Sequence, residues 1–214
     1  MATSKNYNNI ITSTIDISYS SKHIVELIKK INGLPISELE VEPGALDLVN
    51  HSDWPNYGKT TAMINYPLGG YTEKYIFDCL QWVVKKRPDV ICVNMPLVWI
   101  KARDETRIIN FLRKISKYQK QNILRIAFDS DLISLDELMF LCENLDKVEI
   151  FNIKISCGTN QISNEKVIRF SKDYYPDFEI TVDNGLTGKS HQIDVLFENG
   201  VHNVCVRNPW LYHF

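Results

Sequence analysis

The chain has 214 residues, 44% hydrophobic and 23% charged, with a net charge of −2 and a pI near 6.2. This is ordinary globular composition, with length enough for one sizeable core. The charge offers no general pull toward nucleic acid or anionic membrane, and no basic run of five residues occurs, so a small-molecule or protein partner is expected.

The N-terminus, Met1 to Tyr7, is polar and lacks the apolar stretch of a signal peptide, and residues 1–8 read as a disordered lead. No apolar run is long enough to cross a bilayer, so the expected compartment is the cytoplasm. Cysteines at 79, 92, 142, 157 and 205 are odd in number and widely spaced, which suits reduced thiols better than a disulfide frame or zinc site.

Along the chain, strand-like segments are predicted at 9–15, 38–41, 61–66, 90–95, 123–128, 148–155, 178–182 and 203–206. Helical periodicity fills the intervals, as in Ile24, Leu27, Ile28 and Ile31, or Ile108, Phe111, Leu112 and Ile115. Helix starts are signalled by Ser21, Thr72 with Glu73, Ser134 with Glu137, and Ser163 with Glu165. Gly33 and Gly200 stand where left-handed helix ends belong. No linker or low-complexity tract divides the sequence, so residues 1–214 are expected to form one domain. Eight β/α repeats with mostly apolar strands predict a parallel (β/α)8 TIM barrel, with chemistry at the C-terminal strand ends. A shortened C-terminal end is expected, since only residues 208–214 follow strand eight. The aromatic tail from Trp210 suits either capping of the barrel or docking in a homo-oligomer.

Lys154 stands out as a charged amine inside an otherwise apolar strand. A buried lysine either pairs with a carboxylate or loses its proton and becomes a nucleophile. Other polar residues near strand ends are Glu40 and Glu42, Asn65, Cys92 and Asn94, Arg125 and Asp129, Cys157, Thr181 and Asp183, and Arg207. Alternation along a strand means that only some of them line a pocket. Arg125 and Glu40 suit a buried ion pair. Cys92, Cys157 and Cys205 come from alternate strands and read mainly as small apolar fillers, with a thiolate cluster as the alternative.

Several segments, in order and spacing, resemble landmarks of the 2-deoxyribose-5-phosphate aldolase family. These are Ile11-Thr-Ser-Thr-Ile15 with Tyr19-Ser-Ser21, Leu39-Glu-Val-Glu-Pro43, Ile64-Asn-Tyr-Pro-Leu-Gly-Gly70, Ile100-Lys-Ala-Arg-Asp104, Ile123-Leu-Arg-Ile-Ala-Phe-Asp129 and Ile153-Lys-Ile-Ser-Cys-Gly158. The resemblance spans residues 10–208 and implies a class I aldolase barrel that joins acetaldehyde to glyceraldehyde 3-phosphate through a lysine Schiff base. It needs no cofactor or metal, and implies a lyase of carbohydrate metabolism. Lys154 matches the Schiff-base lysine, and Arg125 matches a family lysine that would supply a nearby positive charge to lower its pKa.

The chain departs from the family at the relay. Cys92 replaces the strand-four aspartate, Thr181 the second lysine, Thr12 the strand-one aspartate and Glu40 the strand-two cysteine. Glu40, Asp129 or a water would then have to move protons. Of the phosphate-binding glycines only Gly185 matches. Asp183 would repel an anion, and Arg207 is suited to a phosphate or carboxylate. The expected catalytic set is Lys154, Arg125, Cys92, Glu40 and Asp129. The expected substrate contacts are Asn94, Ser156, Cys157, Gly158, Thr181, Gly185 and Arg207. The implied activity is a divergent Schiff-base lyase acting on an altered carbonyl substrate, phosphorylated or carboxylated. The alternative is an aldolase-fold binding or assembly protein that has lost the relay.

Overall fold

The computed structural model describes residues 9–13, 21–67, 69–156, 165–183, 190–207 and 209–211. Eight strands, β1 (Ile10–Ser13), β2 (Ile36–Val41), β3 (Lys59–Ile64), β4 (Val90–Asn94), β5 (Ile123–Asp129), β6 (Asn152–Ser156), β7 (Glu179–Asp183) and β8 (Asn203–Val206), pair in sequence order. All pairs are parallel, and β1 closes on β8 through Ile11 opposite Cys205. The helices are α1 (Ser21–Ile31), α2 (Leu46–Asn50), α3 (Glu73–Lys85), α4 (Leu97–Lys101), α5 (Glu105–Ser116), α6 (Leu135–Asp146), α7 (Glu165–Tyr174) and α8 (Ser190–Glu198). Among the described residues, β8 is followed by one 3-10 turn, Pro209–Leu211.

The strand alternation divides the side chains into two sets. Outward residues such as Leu39, Val41, Val93, Ile126, Ile153, Ile155, Ile180 and Val182 merge with the apolar helix faces into one core. Helix α1 contributes Ile24, Leu27, Ile28 and Ile31, α5 contributes Ile108, Phe111, Leu112 and Ile115, and α6 contributes Leu138, Leu141 and Leu145. Burying each such side chain is worth about 1.5–3 kcal/mol, so this outer layer supplies the main cohesion. A separate, small apolar cluster of Met63, Cys92 and Ala127, with Tyr66 packed on it, lies in the lumen.

The helix ends follow the sequence signals. Ser134 and Glu137 form a reciprocal capping box, and Thr72 accepts the Tyr75 N–H. Gly33 and Gly200 adopt φ of +89° and +84°. Ser163 lies outside the described residues. The sixth strand begins at Asn152 and not at Val148, because α6 unwinds through Glu149 at φ +57° and the Ile150 N–H returns to the Leu145 carbonyl. Apolar residues continuing past a helix end look like strand in sequence.

The lower half of the lumen is filled by charge. Arg125 donates two hydrogen bonds to Glu38, at 2.6 and 3.2 Å, and its Nε donates to Asn152 Oδ1 at 2.9 Å. The Thr61 hydroxyl donates to the same Glu38 carboxylate. Arg125 and Glu38 are both buried. Burial works to raise the Glu38 pKa, but the guanidinium beside it more than offsets this and holds the carboxyl below its usual range. The expected Arg125–Glu40 pair is thereby corrected. Glu38 lies two residues nearer the start of β2 on the same face, at the level that Arg125 reaches.

A buried pair stripped of one partner leaves an uncompensated charge, at a cost of about 3–5 kcal/mol, whereas replacing both by apolar groups is often neutral. Arg125→Met should therefore destabilise by about 3–5 kcal/mol in urea unfolding, and Arg125→Met/Glu38→Leu should recover most of that loss.

Candidate active site

The strand order carries Lys154 to the middle of the lumen, above the Arg125 layer. It is 0% exposed. Its Nζ lies 2.5 Å from Glu40 Oε2 and 3.2 Å from Asp183 Oδ2, so one ammonium is held between carboxylates of β2 and β7. Burial opposes the charge, but Glu40, with Asp183, more than compensates and holds Lys154 well above the usual lysine range. Lys154 therefore rests as an ammonium. The expectation that Arg125 lowers its pKa is corrected, since the guanidinium is committed to Glu38 and Asn152 and the groups on Lys154 are acidic.

Glu40 is equally enclosed, and the Cys205 thiol donates to its Oε2 at 3.8 Å. Asp183 ends β7, two residues beyond Thr181, which sits opposite Lys154 in the sheet register. Glu40, Asp183 and Cys205 place ligand atoms within 4.8 Å of one another, the spacing of a metal site. Lys154 already supplies the positive charge that this set would otherwise offer an ion.

The turn after β3 is fastened to the end of β4. Asn65, at φ +63°, donates through Nδ2 to the Asn94 carbonyl at 2.8 Å and accepts the Tyr71 N–H at 2.9 Å. Asn94 in turn donates to the Pro67 carbonyl. Gly69, at φ +69°, passes so close to β4 that a Cβ there would stand 2.2 Å from the Met95 carbonyl oxygen. These contacts set Tyr66 against Met63, Cys92 and Ala127. Burial, and then the Asp183 carboxylate, push the Tyr66 phenol above its ordinary pKa.

The remaining sequence candidates divide. Cys92 is fully buried in the lumen cluster, and burial pushes its thiol up to about 12, so it is a neutral filler and no replacement for an acid. Asp129 caps the turn after β5 by accepting the Asp131 N–H at 3.0 Å. Thr181 is buried beside Lys154 and accepts from Asn203 at 3.4 Å. Thr12 donates to the Val206 carbonyl at 3.1 Å. Asn94 serves the loop through its amide nitrogen, while its buried Oδ1 has no hydrogen-bond partner among the described residues. Arg207 stands half-buried just past the end of β8. Ser156 ends β6, and Cys157, Gly158 and Gly185 lie outside the described residues. Sequence reasoning missed Tyr66 and gave Asp183 only an anion-repelling role. Counting by twos from Thr181 would have put Asp183 on Lys154's face.

A basin of about 1000 Å³ opens at the other end of the barrel, between Lys59, Arg87, Lys120, Asn122, Asn152 and Glu179. No helix among the described residues is long and apolar enough to cross a membrane.

Neither a protein-family model nor a curated protein sequence matches this chain. Solved structures do. The aldolase QR15 superposes with a TM-score of 0.86 at 15% identity, covering 97% of this chain and 93% of its own. A tetrameric deoxyribose phosphate aldolase from Aeropyrum pernix gives 0.84 at 11% identity, with 95% and 87% covered. The N-acetylmannosamine-6-phosphate 2-epimerase of Clostridium perfringens reaches 0.66 at 10% identity, with 94% and 86% covered. The chain thus has the barrel fold of deoxyribose-phosphate aldolases, and at these identities the likeness is one of fold.

Because the folded pKa of Lys154 is raised, its contribution to stability is complete below the unfolded lysine value near 10.4 and is lost as pH rises toward the folded value. Above about pH 10.4 the wild type should therefore lose up to about 1.4 kcal/mol per pH unit more than Lys154→Met/Glu40→Leu, measured by urea titration.

Proposed function

We propose that this protein is a Schiff-base lyase of the class I aldolase type, in which Lys154 attacks the substrate carbonyl and Glu40 serves as its acid–base partner. The observation that carries this reading is the 2.5 Å contact between Lys154 Nζ and Glu40 Oε2 inside the lumen of an aldolase-like barrel.

A lysine paired with a carboxylate has its proton acceptor in place. Transfer from Nζ to Glu40 yields a neutral amine and a neutral acid, a pair that a low-dielectric enclosure tolerates better than separated charges. The amine adds to the carbonyl carbon, giving a carbinolamine. Glu40 then returns the proton to the carbinolamine oxygen, which leaves as water, and the resulting iminium is the electron sink for C–C cleavage or formation. This assigns to Glu40 the work expected of Arg125, which pairs with Glu38, of Cys92, a neutral thiol, and of Asp129, which caps its own turn.

The same charges speak to substrate. Asp183 stands at the end of β7, where barrels of this class commonly hold phosphate, and a carboxylate there opposes an anion. An unphosphorylated carbonyl compound fits this end of the lumen. Arg207, without an ion-pair partner among the described residues, is the group suited to a carboxylate at the rim. Cytoplasmic placement, a homo-oligomeric state and a role in carbohydrate metabolism belong to the same reading.

A second reading has its own observation. Lys154 has no exposure and is paired on two sides, as in a structural charge cluster of a non-catalytic barrel.

Incubation with acetaldehyde and borohydride, followed by peptide mass measurement, should place a reduced adduct on Lys154, absent in Lys154→Met. The yield should climb with pH between 7 and 10 as the neutral amine fraction grows. In Glu40→Gln, the loss of the principal counter-charge lets burial lower the Lys154 pKa, so trapping at pH 7 should persist while turnover falls by at least about 100-fold. Absence of any adduct from a broad panel of aldehydes and ketones throughout this range would favour the second reading.

A further inference from the structure

We infer that Asp183 is the base that accepts the β-hydroxyl proton during carbon–carbon cleavage, so that the two carboxylates on Lys154 divide the proton transfers between them; this rests on the Schiff-base reading above. The two acids are not equivalent. Glu40 is wholly enclosed, and its Oε2 also meets the Cys205 thiol. Asp183 has a side chain 8% exposed and is the last residue of β7, at the strand end where substrate enters a barrel. Glu40 therefore lies on the closed side of the amine and Asp183 on its open side.

The carboxylate geometry suits the step. Oδ2 of Asp183 lies 3.2 Å from Nζ. In the iminium of a β-hydroxy carbonyl compound, the hydroxyl oxygen is four bonds from Nζ, and a folded chain brings it back beside that nitrogen. A carboxylate already bridging to the nitrogen can then reach the hydroxyl at the roughly 2.6–3.2 Å that proton transfer requires.

The step balances within the site. Asp183 takes the hydroxyl proton, the oxygen electrons form the carbonyl of the departing fragment, and the electrons of the broken C–C bond enter the iminium to give an enamine on Lys154. Asp183, now neutral, returns that proton to the enamine carbon. Water then hydrolyses the shorter iminium, with Glu40 carrying the protons, and releases the second carbonyl product. The water expelled on forming the first iminium equals the water consumed here. Asp183, as an anion next to the iminium, also stabilises its charge.

The test compares wild type, Asp183→Asn and Asp183→Glu, each checked for native circular dichroism, with acetaldehyde plus borohydride reporting imine formation and 3-hydroxybutanal reporting cleavage. Asp183→Asn should keep Lys154 trapping within about threefold of wild type and lose cleavage by about 100-fold or more. Asp183→Glu, which displaces the carboxylate without removing it, should regain at least about tenfold of that loss. Cleavage by Asp183→Asn at the wild-type rate would overturn the assignment. So would an equal loss of trapping and cleavage, which would make Asp183 only an orienting group for the amine. If Asp183→Asn does not fold, Asp183→Ser takes its place: reduced cleavage with unchanged trapping supports the assignment, and cleavage at the wild-type rate refutes it. A wild type that is trapped at Lys154 yet does not cleave refutes the role of Asp183 and leaves the Schiff base standing, whereas a wild type that is not trapped refutes the Schiff base itself.

Discussion

Taking a lysine ammonium out of water costs several kcal/mol, and in this barrel carboxylates from β2 and β7 offset the cost. Strand order, register and the direction of each side chain all have to agree for those groups to meet across the lumen. The apolar core between strands and helices supplies the cohesion that makes such convergence affordable. Charge in the lumen is thus a consequence of a fold stabilised elsewhere, and it is arranged in two tiers. Arg125 and Glu38 satisfy each other at the closed end, with Thr61 and Asn152 taking remaining hydrogen bonds. Lys154 with Glu40 and Asp183 forms the upper tier, where acids outnumber the base.

The imbalance between tiers separates structural from chemical charge. A bidentate Arg–carboxylate pair in which all three guanidinium nitrogens are hydrogen-bonded is a finished unit with nothing left to react. An amine between two carboxylates has an acceptor for its proton and a second acid to spare. Tyr66, carried by the Asn65–Gly69 turn, packs on Met63, Cys92 and Ala127 and so brings a phenol to the lumen. The turn itself is fastened to the end of β4 through Asn94, so an expected substrate contact is a loop anchor.

The fold was legible because its signals are local. Apolar alternation, capping residues such as Ser134 and Glu137, and helix-ending glycines each act over a few residues, and eight repeats of them leave few architectures. The start of β6 was misplaced for the same reason: Val148 and Ile150 carry strand propensity, and only the hydrogen bond from Ile150 back to Leu145 reveals the turn. The site was legible only in part. Lys154 announced itself as a charge among apolar neighbours, and Glu40 as an acid near a strand end. Which acid meets which base depends on barrel stagger, which places Glu38 and not Glu40 at the level of Arg125. No property of the β2 sequence alone distinguishes those two glutamates.

The segregation of the lumen from the outer apolar core also bears on how such a protein can change over generations. Lumen side chains make little contribution to the helix–strand core, so they are free to be exchanged without dismantling the barrel. They are not free to be exchanged one at a time, because each charged member would strand its partner in a dry interior. Evolution of this interior is therefore expected to proceed by linked replacements, with strands two and five covarying in the lower tier and strands two, six and seven in the upper. Between such events the chemistry would stay fixed even as the outer surface drifts far from that of any relative.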